Sequence, residues 1–276
     1  MRPFLRWTWA LLALAGCKTA PDVKPAGPAP ELASQELLIA EQGLSDFRVR
    51  LEGKVKSTDA AKISHAAYEL VVDGAVVKHG EVPLSVEVPA GGTGAFELEQ
   101  ASNYAANADD LKALVAKGGS LLAALRGKVT VERAGQQASV LDFAKSREVR
   151  VPRLPHVKLH ELDAARYGAE EANATFYLGV DNPNPFAVKM TALAYEVLIN
   201  GKHVADGVRG TGEKVGAAST GVFEVQVPVN LETYGPDVGK LIKTLTLPYR
   251  VTGSLKGDLL DEPYELKGDI KLNVSK

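Results

Sequence analysis

One segment of this 276-residue chain occurs twice, and the repeat limits which folds the chain can adopt. The first copy, residues 67–74, reads AYELVVDG, and the second, residues 194–201, reads AYEVLING. The same spacing of 127 residues relates GAFE at 94–97 to GVFE at 221–224. A constant spacing kept over about thirty residues predicts two copies of one domain, because two repeats are too few for a solenoid.

Each copy has the alternating pattern that is typical of a β-strand. Residues 193–199 carry Leu, Tyr, Val and Ile at every second position. Asn200-Gly201 then supplies a two-residue type I′ turn, and Asp73-Gly74 does the same in the first copy. Residues 249–255 and 264–270 predict a closing hairpin. The sequence therefore predicts an all-β fold of two tandem antiparallel β-sandwiches.

We expect one short helix to be inserted in each sandwich. Leu111, Leu114 and Val115 share a helical face within residues 109–125, and a second helix is expected at about 236–244. A short turn of helix at 34–38 would lead into the first strand. The two sandwiches are expected at residues 36–152 and 156–276.

The N-terminal segment resembles the precursor of a bacterial lipoprotein. Two arginines within residues 1–6 precede an apolar run at 7–14, which is too short to span a bilayer. The following Leu-Ala-Gly-Cys resembles the lipobox and contains Cys17, the only cysteine of the chain. The resemblance implies that residues 1–16 are a signal peptide and that Cys17 is the lipid attachment point. Membrane lipid is then the expected partner.

Residues 17–35 are expected to form a tether rich in proline and alanine. Residues 18–30 contain four prolines, and a polyproline II segment of that length reaches about 40 Å. Lys18 follows the cysteine, where an Asp would resemble an inner-membrane retention signal. We therefore expect a lipid-anchored protein of the cell envelope, on the outer membrane and facing the periplasm.

A second resemblance begins at residues 175–186, which read TFYLGVDNPNPF and are followed by the Tyr-Glu-Val strand and Asn200-Gly201. This pattern resembles the type 2 late-embryogenesis-abundant (LEA) proteins, which contain the WHy (water stress and hypersensitive response) domain. The resemblance covers about residues 160–274. The first copy matches only through the repeated segment, since residues 54–59 contain no proline.

The LEA resemblance implies both a fold and a function. The fold is a seven-stranded sandwich of the fibronectin type III, or immunoglobulin-like, kind. The function associated with the family is protection of proteins or membranes during dehydration, and no enzymatic activity defines it.

The Asn-Pro-Asn-Pro motif has a physical role that does not depend on the family. Pro183 and Pro185 lack amide donors and push the preceding residues out of the helical region. The motif is therefore expected to end strand pairing, while the amides of Asn182 and Asn184 satisfy local backbone groups. A ligand-binding surface is the alternative interpretation.

No catalytic, cofactor or metal site is predicted. The best metal-like group is His156 and His160 with Glu161 and Asp163 nearby, but four residues along a strand span about 13 Å, too far to share one ion. The paired acids at 109–110, 170–171 and 261–262 are expected at element ends, solvated or near a helix N-terminus. A net charge of −2 gives no electrostatic footprint for nucleic acid.

The function hypothesis is a non-catalytic, membrane-anchored envelope lipoprotein that protects or binds a client under stress such as desiccation. One alternative is an envelope assembly factor that binds protein, or lipid in an apolar cleft between the sheets. A further alternative is an enzyme whose site is assembled from dispersed residues.

Overall fold

The computed structural model describes residues 27–274. The predicted signal peptide, Cys17 and most of the predicted tether lie outside the described residues. Within that range, no helix has the length and apolarity that crossing a membrane requires.

Residues 31–150 form the first sandwich, in which every strand pairing is antiparallel. One sheet has the order β1-β2-β5 and the other the order β4-β3-β6-β7. The helix α1, Ala108–Ala116, lies between β5 and β6. The strands are β1 Glu31–Gln42, β2 Asp46–Lys56, β3 Ala61–Val72, β4 Ala75–Val88, β5 Thr93–Asn103, β6 Ser120–Arg133 and β7 Ser139–Arg150.

Residues 156–274 form the second sandwich. Its sheets have the orders β13-β9-β8-β16 and β11-β10-β14-β15, and the short β12 pairs with β10. The helices α2, Leu231–Tyr234, and α3, Val238–Lys243, are joined by a 3₁₀ turn at Gly235–Asp237. The strands are β8 His156–Arg166, β9 Ala172–Asn182, β10 Val188–Ile199, β11 Lys202–Arg209, β12 Lys214–Val215, β13 Ser219–Val229, β14 Thr246–Gly257, β15 Leu260–Lys271 and β16 Asn273–Val274.

The two sandwiches share one topology, as the repeat predicted. Strands β1 to β7 correspond in order to β8, β9, β10, β11, β13, β14 and β15, so each sandwich has seven long strands. The apolar residues of alternating strand positions turn inward, and each sandwich encloses a hydrophobic core of its own. The prediction of two tandem all-β sandwiches, each with a helical insertion, is confirmed.

A row of residues across the four-stranded sheet is also duplicated. Tyr68 lies between two glycines in the first copy, and Tyr195 does so in the second. A Cβ placed on Gly207 would lie 2.7 Å from the Tyr195 hydroxyl, so the ring requires a glycine on the neighbouring strand. The two rows are Gly80-Tyr68-Gly127-Phe143 and Gly207-Tyr195-Gly253-Tyr264.

Both predicted type I′ turns are confirmed. Asn200 and Gly201 have φ values of 50° and 75°, and Asp73 and Gly74 have values of 47° and 84°. Positive φ at both central positions is what the type I′ turn requires. The predicted closing hairpin is formed by β14 and β15.

Three predicted boundaries are wrong. Residues 34–38 belong to β1 and are not helical, so the first sandwich begins at Glu31 and the tether ends before it. Helix α1 ends at Ala116, because Gly118 and Gly119 adopt φ values of 139° and 67°, and residues 120–125 form the start of β6. The helical segment of the second sandwich starts at Leu231, where Asn230 caps it, and not near 236.

Candidate functional site

The Asn-Pro-Asn-Pro motif begins at the last residue of β9, and its residues are alternately buried and exposed. Asn182 and Asn184 are 1% and 3% exposed, whereas Pro183 and Pro185 are exposed. Buried amides need hydrogen-bond partners, because a buried unpaired polar group costs about 1–3 kcal/mol. The partners of the two asparagines define what the motif does.

Asn182 closes the loop that the motif begins. Its side-chain nitrogen donates to the carbonyl groups of Phe186 and Gly216, both at 2.8 Å. Its side-chain oxygen accepts from the backbone N–H of Asn184 at 3.1 Å. The prediction that the motif ends strand pairing and satisfies local backbone groups therefore describes Asn182 well.

Asn184 forms hydrogen bonds with the linker between the sandwiches, which lies 31 residues earlier in the sequence. Its side-chain nitrogen donates to the carbonyl of Arg153 at 2.7 Å, and its side-chain oxygen accepts from the Arg153 N–H at 2.8 Å. The amide thus pairs with both backbone groups of one residue, as a neighbouring strand would. This contact fixes the linker to the second sandwich.

In the first sandwich, the loop after β2 likewise binds the segment that precedes the first strand. The Thr58 hydroxyl donates to the carbonyl of Pro28 at 3.4 Å, and Arg133 Nη1 donates to the carbonyls of Gly27 and Pro28 at 3.2 and 3.0 Å. The Gly27 N–H donates to Asp59 Oδ2 at 3.2 Å. In both copies, the loop after the second strand therefore binds the segment that precedes the first strand.

Side chains from both sandwiches meet at the domain junction. Lys112 Nζ on α1 lies 2.7 Å from Glu262 Oε1, and this contact raises the pKa of Lys112. The Ser45 hydroxyl donates to Asp258 Oδ2 at 2.7 Å. Leu44, in the turn between β1 and β2, is 4% exposed and belongs to the core of the second sandwich. Apolar and polar contacts together join the two sandwiches.

A cleft of about 540 Å³ opens beside these contacts, and we call it the junction cleft. The first sandwich and the linker contribute one wall, and the segment after β9 contributes the other. Its principal side chains are Gln42, Arg150, Arg153, Pro183, Pro185 and Phe186. The motif that identifies the second sandwich in the sequence therefore forms part of a cleft between the domains.

The histidines of the metal-like cluster do not converge. His156 Nε2 lies 3.7 Å from Asp181 Oδ2 on the adjacent strand, while His160 lies at an irregularity in the pairing of β8 with β9. Hydrogen bonds from Thr220 and Lys158 lower the pKa of Asp181. No group of three or more His, Cys, Asp or Glu side chains in residues 27–274 is placed to hold a metal ion.

The paired acids lie at element ends or near them. Asp109 and Asp110 occupy the first turn of α1, and Glu170-Glu171 lies between β8 and β9. Glu262, near the start of β15, pairs with Lys112 and so serves the domain junction, a role that the sequence did not predict. Those partners are 150 residues apart, and no local pattern connects them.

Comparison with known proteins identifies a family for part of the chain. The family model described as "Late embryogenesis abundant protein" matches residues 177–273, which lie within the second sandwich. No curated protein matches the chain.

Two solved structures resemble parts of the chain. A protein from Archaeoglobus fulgidus is 18% identical, with a TM-score of 0.34, and the match covers 45% of this chain and 100% of that one. A protein from Arabidopsis thaliana is 14% identical, with a TM-score of 0.36, over 46% of this chain and 87% of its own. The family match agrees with the resemblance seen in residues 175–186, and the second sandwich is a member of the LEA type 2 family.

Proposed function

We propose that this protein is a non-catalytic lipoprotein of the bacterial envelope that protects proteins or membranes during drying. The observation that carries the proposal is the LEA type 2 match of the second sandwich, since that family is associated with dehydration stress. The lipobox-like sequence at Cys17 supports the anchor. Two acyl chains bury enough CH₂ groups, at about 0.8 kcal/mol each, to hold a protein durably on a membrane.

The position of Gly27, where the described chain enters the first sandwich, supports one orientation of the protein relative to the membrane. Strand β6 runs the length of the first sandwich, from Ser120 at the junction cleft to Arg133 beside Gly27. Fourteen residues of strand span about 45 Å. An anchor at Cys17 would therefore place the first sandwich near the membrane and the LEA type 2 sandwich farther from it.

The contacts of Gly27 and Pro28 also shorten the predicted tether. Because the first sandwich already binds Gly27, the segment available as a tether is 18–26, not 17–35. At the polyproline II rise, those residues reach roughly 28 Å, less than the 40 Å estimated from the whole proline-rich segment. The first sandwich would then lie close to the lipid headgroups.

A complementation experiment tests the anchor and the protective role together. A strain lacking the gene receives either the wild-type chain or Cys17→Ser, which has no thiol to accept a lipid. We expect wild-type protein to remain with the membranes after a high-salt wash and to restore survival of drying. Cys17→Ser should leave the membrane fraction and lose most of the protection. Membrane retention of Cys17→Ser would contradict the anchor, and equal survival of drying without the gene would contradict the protective role.

A further inference from the structure

The junction cleft has two chemically different walls. Gln42, Glu148, Arg150 and Arg153 make one wall mainly polar, although Val115 also lines it, and Pro183, Pro185 and Phe186 form an apolar wall. A volume of about 540 Å³ is within the range of ligand-binding clefts, which occur preferentially between domains. The walls therefore suggest a ligand with two kinds of side chain.

The two arginines of the polar wall lack acidic partners. Neither Arg150 nor Arg153 forms an ion pair within 4.0 Å in the part of the chain that the structure describes, whereas Arg126 Nη2 lies 2.8 Å from Glu69 Oε2. Both are exposed, and Glu148 is the acidic residue of the lining, which leaves an excess of one positive charge. Guanidinium groups in this situation are suited to carboxylates, which they bind with two parallel hydrogen bonds.

The backbone that carries these arginines is held in place. The carbonyl of Arg150 accepts a hydrogen bond from Gln42 Nε2 at 3.3 Å, and the amide of Asn184 pairs with both backbone groups of Arg153. A fixed backbone lowers the entropy that binding would otherwise cost.

The apolar wall is also held in place before any ligand binds. Because Asn182 and Asn184 turn inward, Pro183 and Pro185 are exposed with their φ angles already fixed. Phe186 is half-buried against the second core, and its carbonyl accepts from Asn182. The motif thus presents a rigid apolar surface in the cleft that the arginines also line.

We propose that the junction cleft binds an extended acidic segment of a partner protein, in which carboxylates alternate with apolar side chains. Successive side chains of an extended chain point to opposite sides. Such a segment would place its carboxylates against Arg150 and Arg153 and its apolar side chains against Pro183, Pro185 and Phe186. The proposal rests on the protection of proteins in the proposed function and does not depend on the anchor.

The test uses the purified full chain and a short fluorescent peptide in which Asp and Leu alternate. Fluorescence anisotropy should show saturable binding that weakens as salt is added. Arg150→Gln and Arg153→Gln should each weaken binding about tenfold, the loss expected for one charge-assisted hydrogen bond. Lys145→Gln, which removes an exposed cation of β7 outside the cleft, is the matched control and should bind like wild type.

Two further peptides distinguish binding to both walls of the cleft from nonspecific attraction between opposite charges. Replacing Asp by Lys should abolish binding, and replacing Leu by Ser should weaken it about tenfold, because the apolar wall is then left without a partner. No saturable binding, or binding that neither arginine variant changes, would overturn the proposal. A Ser-containing peptide that binds as well as the original would also overturn it, because the cleft would then accept any carboxylate. Each of these results would leave the membrane fractionation and the drying assay unaffected.

Discussion

At the scale of single residues, the two copies differ in how firmly they hold the incoming chain. In the second copy, the Asn184 amide supplies a donor and an acceptor to Arg153 at 2.7 and 2.8 Å. In the first copy, the Thr58 hydroxyl supplies one bond, at 3.4 Å, and the other bonds come from Asp59 and Arg133, at 3.0 to 3.2 Å. A side-chain amide carries its donor and its acceptor on separate atoms, so it can pair with both the N–H and the carbonyl of one residue.

The first prediction concerns this amide. Asn184→Asp keeps the acceptor for the Arg153 N–H but removes the donor to its carbonyl, so the free energy of unfolding should fall by about 1–3 kcal/mol. Urea unfolding of the full chain measures the change. Asn173→Asp is the control, since it makes the same exchange on β9 and its side chain forms no hydrogen bond within the described range. Equal losses in the two variants would contradict the role given to Asn184.

Sequence reasoning predicted the role of Asn182 more completely than that of Asn184. The rules for Asn and Pro in turns concern partners a few residues away, and the partners of Asn182 on Phe186 and Asn184 are of that kind. Arg153 lies 31 residues before Asn184, so its position depends on how the two sandwiches stack. Nothing in the local pattern of residues 182–186 contains that information.

Among the elements, the hairpins were predicted best because their turns are chemically specific. Asn-Gly and Asp-Gly each select the type I′ turn within two residues. Helix α1 was predicted too long because the residues that follow it are not specific for one conformation. Residues 120–125 read SLLAAL, which favours a helix by intrinsic propensity, yet β6 pairs with β3 and β7 on both sides. Burial of Leu121, Ala123 and Leu125 in the sheet outweighs that propensity.

The second prediction concerns the β10–β11 turn. Gly201→Val should lower the free energy of unfolding by about 1–3 kcal/mol, because a β-branched residue is strained at a φ of 75°. A Cβ at this position meets no atom within 4 Å, so the cost is conformational and not steric crowding by neighbours. Gly201→Asn is the matched control and should cost less, since asparagine tolerates positive φ. Similar melting temperatures for the two variants would be inconsistent with a strained turn.

On the scale of the whole molecule, Leu44 forms an apolar contact across the domain junction, and Leu154 of the linker packs against both cores. Leu44 belongs by sequence to the first sandwich and by packing to the core of the second. The repeat predicted two domains with separate cores, and the fold has them. Leu44 is the exception to this separation. It lies in a polar turn, and its sequence neighbours do not indicate that another domain buries it.

The third prediction tests the contact that Leu44 forms. Leu44→Ala should speed hydrogen exchange in the strands of the second sandwich, because it leaves a cavity in that core at a cost of about 2–5 kcal/mol. Leu37→Ala is the control, since Leu37 is buried in the first core and should affect exchange in the first sandwich. Hydrogen exchange read by mass spectrometry locates each effect. Faster exchange confined to the first sandwich in Leu44→Ala would show that the contact does not couple them.

The two ends of each sandwich are complementary, and this has a consequence for how such a protein can evolve. Each unit takes in the chain at the loop after its second strand, and the first unit inserts Leu44 from its β1–β2 turn into its successor. The corresponding turn of the second unit, between β8 and β9, carries Tyr167, whose exposed fraction is 66%. A third unit added by in-frame duplication would meet Tyr167 at the position where the second unit meets Leu44. Such a unit would be joined by the same kind of contact as the second, with an exposed aromatic side chain in place of the inserted leucine.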